Sequence, residues 1–319
     1  MTKKDFRIVF LGTPAFAVET LRLLVENQYN VVGVVTMPDK PAGRGHRLQE
    51  SDVKKYAKSQ NLPVLQPANL KENEFLEDLK ALKADLNIVV AFRMLPKEVW
   101  DMPKHGTYNL HGSLLPQYRG AAPINWAIMN GEPETGVTTF KLVHEIDTGK
   151  IAHQSKIEIG KRDNAGVIHD KLMEVGAKLV IKTVDAIIDE SITLQEQSTY
   201  TKELKPAPKI FKDDCRINWS STAQDIDYFI RGLSPYPASH TTLKRDDELY
   251  NIKVFDSKPI IEKHNHSIGT IIQPHPSQID VAVANGYIRI LELQVQGRRR
   301  MKTIDFLNGF PIEENDFFE

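Results

Sequence analysis

Phe6-Arg7-Ile8-Val9-Phe10-Leu11-Gly12-Thr13-Pro14 opens the chain with a run that is apolar at nearly every position and ends in a turn. A short, almost continuous apolar run of this kind is the mark of a strand buried on both faces. Residues 15–26 follow with an apolar face at helical spacing, and Val31-Val32-Gly33-Val34-Val35-Thr36 is again nearly all apolar. Strand, helix and strand in that order predict a βαβ unit. A helix over 73–82 and a strand over Leu86-Asn87-Ile88-Val89-Val90-Ala91 continue the alternation. The expected fold of this part is α/β: a Rossmann-like, mostly parallel sheet with helices on both faces. The first turn holds Gly12 alone, without the second and third glycines that let a pyrophosphate approach, so a nicotinamide or flavin site is not expected there.

Further along, Val167, Ile168, Leu172, Val175, Leu179, Val180, Ile187 and Ile188 are spaced for a long amphipathic helix over 163–189. That helix is expected to close a first domain at 1–189. Residues 190–209 turn polar and contain Pro206-Ala207-Pro208, which reads as a linker. In the remainder, 210–319, Ser220-Ser221-Thr222 can cap a short helix carrying Ile226, Phe229 and Ile230. Strand-like runs over 249–255, 268–272, 279–284 and 287–293 are separated by polar or glycine-containing turns, the pattern of a small, OB-like β-barrel.

Composition narrows the class. The 319 residues are 41% hydrophobic, enough for two cores. Lys and Arg number 41 against 42 Asp and Glu, so any contact with nucleic acid has to be local. A single cysteine, Cys215, excludes an intrachain disulfide and a cysteine-rich zinc site. No signal-like or membrane-spanning run stands out, and the expectation is a cytoplasmic protein without a membrane partner. His144, His153, His169, His264, His266 and His275 lack metal-ligand spacing, so no metal is expected.

Chemistry concentrates in Asn109-Leu110-His111-Gly112-Ser113-Leu114-Leu115-Pro116-Gln117-Tyr118-Arg119-Gly120. Residues 107–110 read as a strand end and 114–120 as a loop. Asn109 and His111, two apart on an extended chain, project to one side. Their carboxamide and imidazole can serve one reacting centre, the first donating to an oxyanion and the second exchanging a proton. A second segment, His144-Glu145-Ile146-Asp147-Thr148-Gly149-Lys150, follows the alternating run 137–143 and offers the carboxylate of Asp147 as a partner for His111. Equally, His111 can cap a strand, Asn109 can satisfy a turn, and Asp-Thr-Gly is an ordinary turn sequence.

These segments, with Gly131-Glu132-Pro133-Glu134-Thr135-Gly136-Val137-Thr138, resemble the signature of the 10-formyltetrahydrofolate-dependent formyltransferases. The match is long and varied in residue type, unlike a short motif hit. The resemblance implies that Asn109, His111 and Asp147 form a catalytic trio, that Ser113, Leu114, Leu115 and Pro116 contact the folate, and that 10-formyltetrahydrofolate is the formyl donor. It also implies that the loop after Ala91, with Phe92 and Leu95, lines the pterin pocket. That loop, Phe92-Arg93-Met94-Leu95-Pro96, departs from most relatives by being shorter and by carrying Arg93 where a glycine is usual.

Between Met37 and Arg47, Lys40, Arg44 and Arg47 stand among glycines and prolines. Such a composition suits phosphate or splayed-base contacts in RNA, or simply a solvated loop. Pro38-Asp39-Lys40-Pro41-Ala42-Gly43-Arg44-Gly45 resembles the loop with which methionyl-tRNA formyltransferases grip the acceptor end of initiator tRNA. The lysines of Asp52-Val53-Lys54-Lys55-Tyr56-Ala57 would extend that contact. The tract Arg231-Gly232-Leu233-Ser234-Pro235-Tyr236-Pro237-Ala238 extends the likeness into the second domain. Arg298-Arg299-Arg300-Met301-Lys302 is the densest basic cluster. Arg298 and Arg299 are candidates for an RNA backbone, although a solvated hairpin, or pairing with Glu313 and Glu314, explains the cluster as well.

The function implied is formyl transfer to the amino group of initiator methionyl-tRNA by a monomer. Rival readings are a formyltransferase acting on a small amine, a 10-formyltetrahydrofolate hydrolase, or a catalytically idle RNA-binding module. The basic loop and barrel speak against the first two, and the intact trio against the third.

Overall fold

Every side chain of strand β1 (Arg7–Gly12) except Arg7 is buried, as its apolar run requires. The computed structural model describes residues 2–42, 47–199, 203–313 and 315–319. Chain order continues with α1 (Ala15–Glu26), β2 (Asn30–Val35), β3 (Lys40–Ala42), β4 (Arg47–Gln49), α2 (Asp52–Ser59), β5 (Val64–Leu65), α3 (Asn73–Ala81), β6 (Leu86–Val90), α4 (Lys97–Trp100) and β7 (Thr107–His111). Then come α5 (Pro123–Met129), β8 (Glu134–Lys141), β9 (Ile151–Glu158) and α6 (Ala165–Ile188).

The first sheet has the order β5-β2-β1-β6-β7-β8-β9. Its first five strands are parallel and β8 runs antiparallel to β7. The chain leaves β1 toward β2 and β5, then returns to the other side of β1 at β6. With right-handed crossovers this reversal puts α1 and α2 on one face and α3 and α4 on the other. Packing agrees: Val9 and Leu11 share a core cluster with Phe75, Leu79 and Val99, while Ile8 and Phe10, which alternate with them, are fully buried on the opposite side. Gly12 sits where a Cβ would lie 2.8 Å from both Ala17 and Phe10 and 3.1 Å from the Val90 oxygen. The lone glycine therefore serves close helix–strand packing.

By contacts the chain divides into two compact units. The first comprises residues 1–120, 135–157 and 169–206; the second comprises 121–134, 158–168 and 207–319. In the second, α7 (Ala223–Leu233) precedes β10 (Ser239–Arg245), β11 (Glu248–Ile261), β12 (Ile271–Ile272), β13 (Ile279–Val283), β14 (Gly286–Val295), β15 (Met301–Lys302), α8 (Thr303–Gly309) and β16 (Phe317–Phe318). Thr222 caps α7 by accepting from the Asp225 N–H.

The sheet order β12-β13-β14-β11-β10-β16 nearly closes into an antiparallel barrel, because Thr270 bridges Phe317. Its core joins Ile226 and Ile230 of α7 to Val254, Val281, Ile288 and Phe318. β11 covers the expected 249–255 and runs on to Ile261. β10 had no counterpart in the sequence reading, since Ser239 and Thr241 occupy two of its three buried positions and leave no apolar signal.

Two surface regions carry local pairing that the sequence does not show. The basic loop contains an antiparallel ribbon, β3 against β4, with Lys40 opposite Gln49 and Ala42 opposite Arg47; Arg44 lies outside the described residues. The lysines expected to extend it are already paired. Lys54 contacts Asp39 at 2.6 Å and Glu50 at 3.3 Å, and Lys55 contacts Asp52 at 3.2 Å. The Lys54 ammonium holds the Asp39 carboxyl below its usual range.

Candidate active site

β7 delivers Asn109 and His111 to one face at the carboxyl end of the sheet, opposite Phe140 and Thr138 of β8. His111 is buried, and its ring meets Phe140 edge to face with centroids 6.5 Å apart. Its Nε2 lies 2.9 Å from the Tyr118 carbonyl oxygen. A carbonyl only accepts, so Nε2 carries a hydrogen and Nδ1 is left facing the site. Asp147 Oδ2 is 3.9 Å from that Nδ1. The separation is too long for a direct hydrogen bond.

Asp147 has φ +54° and its Oδ2 accepts from the Gly120 N–H at 2.9 Å. The turn is tight: a Cβ on Gly149 would lie 1.7 Å from the Lys141 oxygen. Only glycine fits there. His111 and the distant Asp147 thus meet, and Asn109 shares the face of β7 with His111. Asn109 is partly exposed, and its carboxamide makes no hydrogen bond to a described residue.

The loop after β7 is braced internally. Ser113 Oγ donates to the Gln117 oxygen at 2.6 Å, and Thr138 Oγ1 donates to the Ser113 oxygen at 2.7 Å and accepts from the Leu115 N–H at 3.1 Å. Ser113, Leu115 and Pro116 are buried, the Leu115–Pro116 peptide is cis, and Leu115 packs with Phe140 and Ile151. Leu114 is half-buried and touches the space above Gly136.

A cavity of about 510 Å³ opens in the same unit, lined by Leu70, Lys71, Arg93, Leu95, Trp100 and His144 among others. Leu95 is buried in its wall and Phe92 packs on the same core cluster. Arg93 donates to the carbonyls of Ala68 at 2.8 Å and Pro67 at 2.5 Å, and stands 5.7 Å over the Phe92 ring. Burial lowers its pKa from the ordinary guanidinium value, and its Nε is buried with no partner among the described residues. The shortened loop therefore ties itself to the 67–68 segment through Arg93.

Of the remaining candidates, Lys40, Arg298 and Arg299 are exposed. Arg300 instead pairs with Glu292 at 2.5 Å and lies over Phe255, and Glu313 pairs with Arg245 at 3.0 Å. Glu314 lies outside the described residues. No group of three or more His, Cys, Asp or Glu among the described residues is placed to hold a metal ion, and no described helix is long and apolar enough to cross a membrane. Sequence reasoning missed two supports of the trio: the Tyr118 carbonyl, which has no side-chain signature, and Gln197, one polar residue in a polar stretch.

Fold and site together define a formyl transferase. A family model described as formyl transferase matches residues 6–184, and one for the formyl transferase C-terminal domain matches 209–311. The chain is 55% identical over 317 residues to the methionyl-tRNA formyltransferase of Bacteroides thetaiotaomicron, covering 98% of each chain. It is 56% identical over 315 residues to that of Parabacteroides distasonis, with 97% of each covered. The chain belongs to the methionyl-tRNA formyltransferase family. Among solved structures, HypX from Aquifex aeolicus in complex with tetrahydrofolic acid superposes with a TM-score of 0.64 at 18% identity, over 98% of this chain and 50% of that one. An N-formyltransferase from Helicobacter canadensis in complex with folinic acid and dTDP-3-aminofucose gives 0.64 at 20% identity, over 93% and 100%. At these identities the likeness is one of fold.

Proposed function

We propose that this chain transfers the formyl group of 10-formyltetrahydrofolate to the amino group of initiator methionyl-tRNA, in the cytoplasm, the step that follows charging of the starting tRNA of translation. The observation that carries the reading is the His111–Asp147 pair, 3.9 Å apart, beside the unpartnered carboxamide of Asn109. An acyl transfer needs a donor to a developing oxyanion and a base for the attacking amine. Asn109 Nδ2 donates to the oxyanion. His111 keeps its Nε2 hydrogen on the Tyr118 carbonyl, so Nδ1 is the atom that donates when the ring is protonated. Asp147 Oδ2 spends one lone pair on the Gly120 N–H and has others left to take the amine proton and return it to the leaving nitrogen.

The cavity beside Arg93 supports a site for the donor, since Leu70, Leu95 and Trp100 give it an apolar lining. We assign Phe92, Leu95 and the backbone of Ser113, Leu114, Leu115 and Pro116 to the folate. Formyl transfer is assigned to residues 1–189, with 190–209 as connection and 210–319 as the RNA-binding part. Lys40, Arg44, Arg47, Arg298 and Arg299 supply the phosphate contacts.

The test measures formyl transfer with charged initiator methionyl-tRNA, free methionine and water as acceptors, with His111→Ala as control. Product on the charged tRNA alone, lost in the control, is expected. Formate release to water, or equal use of free methionine, overturns the acceptor assignment.

A further inference from the structure

Gln197 is 5% exposed and sits in a one-turn 3₁₀ helix, Gln197–Thr199, in the stretch that reads from sequence as a linker. Its Nε2 donates to two carbonyls of the Asp147 turn, that of Asp147 at 2.9 Å and that of Gly149 at 2.7 Å. Its Oε1 accepts from Arg119, at 2.6 Å from Nη2 and 3.1 Å from Nε. Its amide thereby ties the turn that presents the carboxylate to Arg119 in the loop after β7. The neighbouring chain reinforces this: Gln195 exchanges backbone hydrogen bonds with Ile151, each 2.8 Å. The Tyr118 N–H donates to the Lys205 oxygen at 2.7 Å, while the Tyr118 carbonyl holds His111.

We propose that Gln197 is a positioning residue for formyl transfer: clamped by Arg119, it fixes the left-handed backbone of Asp147 and so sets the carboxylate against His111 Nδ1. The inference rests on the catalytic reading above. A non-glycine residue stays at φ +54° only where its surroundings hold it. Two amide hydrogen bonds to the carbonyls that bracket the turn are such a hold. Gln197 acts on no substrate atom, so its removal affects the orientation of Asp147 and leaves substrate binding in place.

The test compares wild type, Gln197→Ala and the volume-conserving Gln197→Met in the full chain, with charged initiator methionyl-tRNA and 10-formyltetrahydrofolate. Both variants should lose about 10- to 100-fold in kcat with KM for each substrate within about twofold. Single-turnover rates in an Asp147→Asn background should then fall less than threefold further when Gln197 is replaced, because the group being positioned is already gone. An undiminished kcat in Gln197→Met, or the same fold-loss in the Asp147→Asn background as in wild type, overturns the proposal. If wild type itself transfers no formyl group to the charged tRNA, the catalytic reading fails instead.

Discussion

The turn around Asp147 and the exposed arginines Arg298 and Arg299 are both functional candidates, and they are built in opposite ways. Around Asp147 most polar atoms are committed: Gly120, Gln197, Arg119, Tyr118 and Thr138 lock the backbone, while the Asn109 carboxamide and His111 Nδ1 make no hydrogen bond to a described residue. Arg298 and Arg299 are exposed and make no side-chain hydrogen bond or ion pair with a described residue, and Lys40 is the same. The contrast follows from the chemistry each would do. Proton transfer and oxyanion stabilisation depend on sub-ångström placement, whereas neutralising a phosphate depends mainly on having a cation nearby.

The sharpest way to break this contrast is to compare two arginines within the second unit. Arg231 is buried, donates to Asp227 at 2.8 Å and to the Asp163 oxygen at 2.7 Å, and Asp227 accepts in turn from Ser257. Arg231→Ala strands the buried carboxylate and should cost about 3–5 kcal/mol, read from chemical denaturation. Arg298→Ala should leave the denaturation midpoint unchanged. Equal costs would show that exposure does not separate the two classes.

Next in size is the committed side of the contrast. Asn109→Ala should lower formyl-transfer turnover about 100-fold or more while the affinity for tRNA stays within about twofold. A change in affinity alone would move Asn109 from chemistry to recognition.

The uncommitted side predicts a smaller effect of different character. Arg298→Ala with Arg299→Ala should raise KM for charged tRNA and reduce the slope of log K against log salt by about two, with kcat preserved. If the salt slope is unchanged, those arginines do not touch the RNA backbone. Arg44→Ala should act in the same sense, and transfer to a small amine should be spared.

The smallest effect is one of pH on stability. Burial, and then the charge of Lys182, hold the His153 pKa below the ordinary 6.5. The unfolded chain takes a proton near 6.5 that the folded ring resists. His153 therefore favours the folded state above that pH, and the contribution is lost as pH falls from 6.5 toward the depressed folded value. His153→Gln should flatten the acid side of a stability-against-pH curve in that window, and an unchanged curve would remove His153 from the account.

What was legible in the sequence divides along physical lines. The βαβ start was readable because both faces of β1 and β2 are buried, which turns burial into composition. Asn109 and His111 could be put on one side by the two-residue repeat of a strand, but their meeting with Asp147 depends on a loop that no periodicity describes. β10 was hidden by buried Ser239 and Thr241. Gln197 was hidden more deeply, since a buried glutamine and a solvated one read alike. The pairing of Lys54 with Asp39 joins residues of different elements, and a count of lysines gives no warning of it.

Helix α5 has a consequence for how the chain is made. It falls between β7 and β8 in sequence yet packs in the second unit: Asn125 donates to the Gly232 oxygen at 2.7 Å, and a Cβ on Gly131 would lie 2.3 Å from the Tyr228 ring. Its partner α7 begins about ninety residues later. At ~5–20 residues per second of synthesis, α5 waits roughly 5 to 20 s on the ribosome before α7 exists to pack on it. During that interval Met129, which packs against Gly232 of α7 once folding is done, is open to chaperones and to other nascent chains. A fragment cut after residue 189 would keep that helix uncovered permanently.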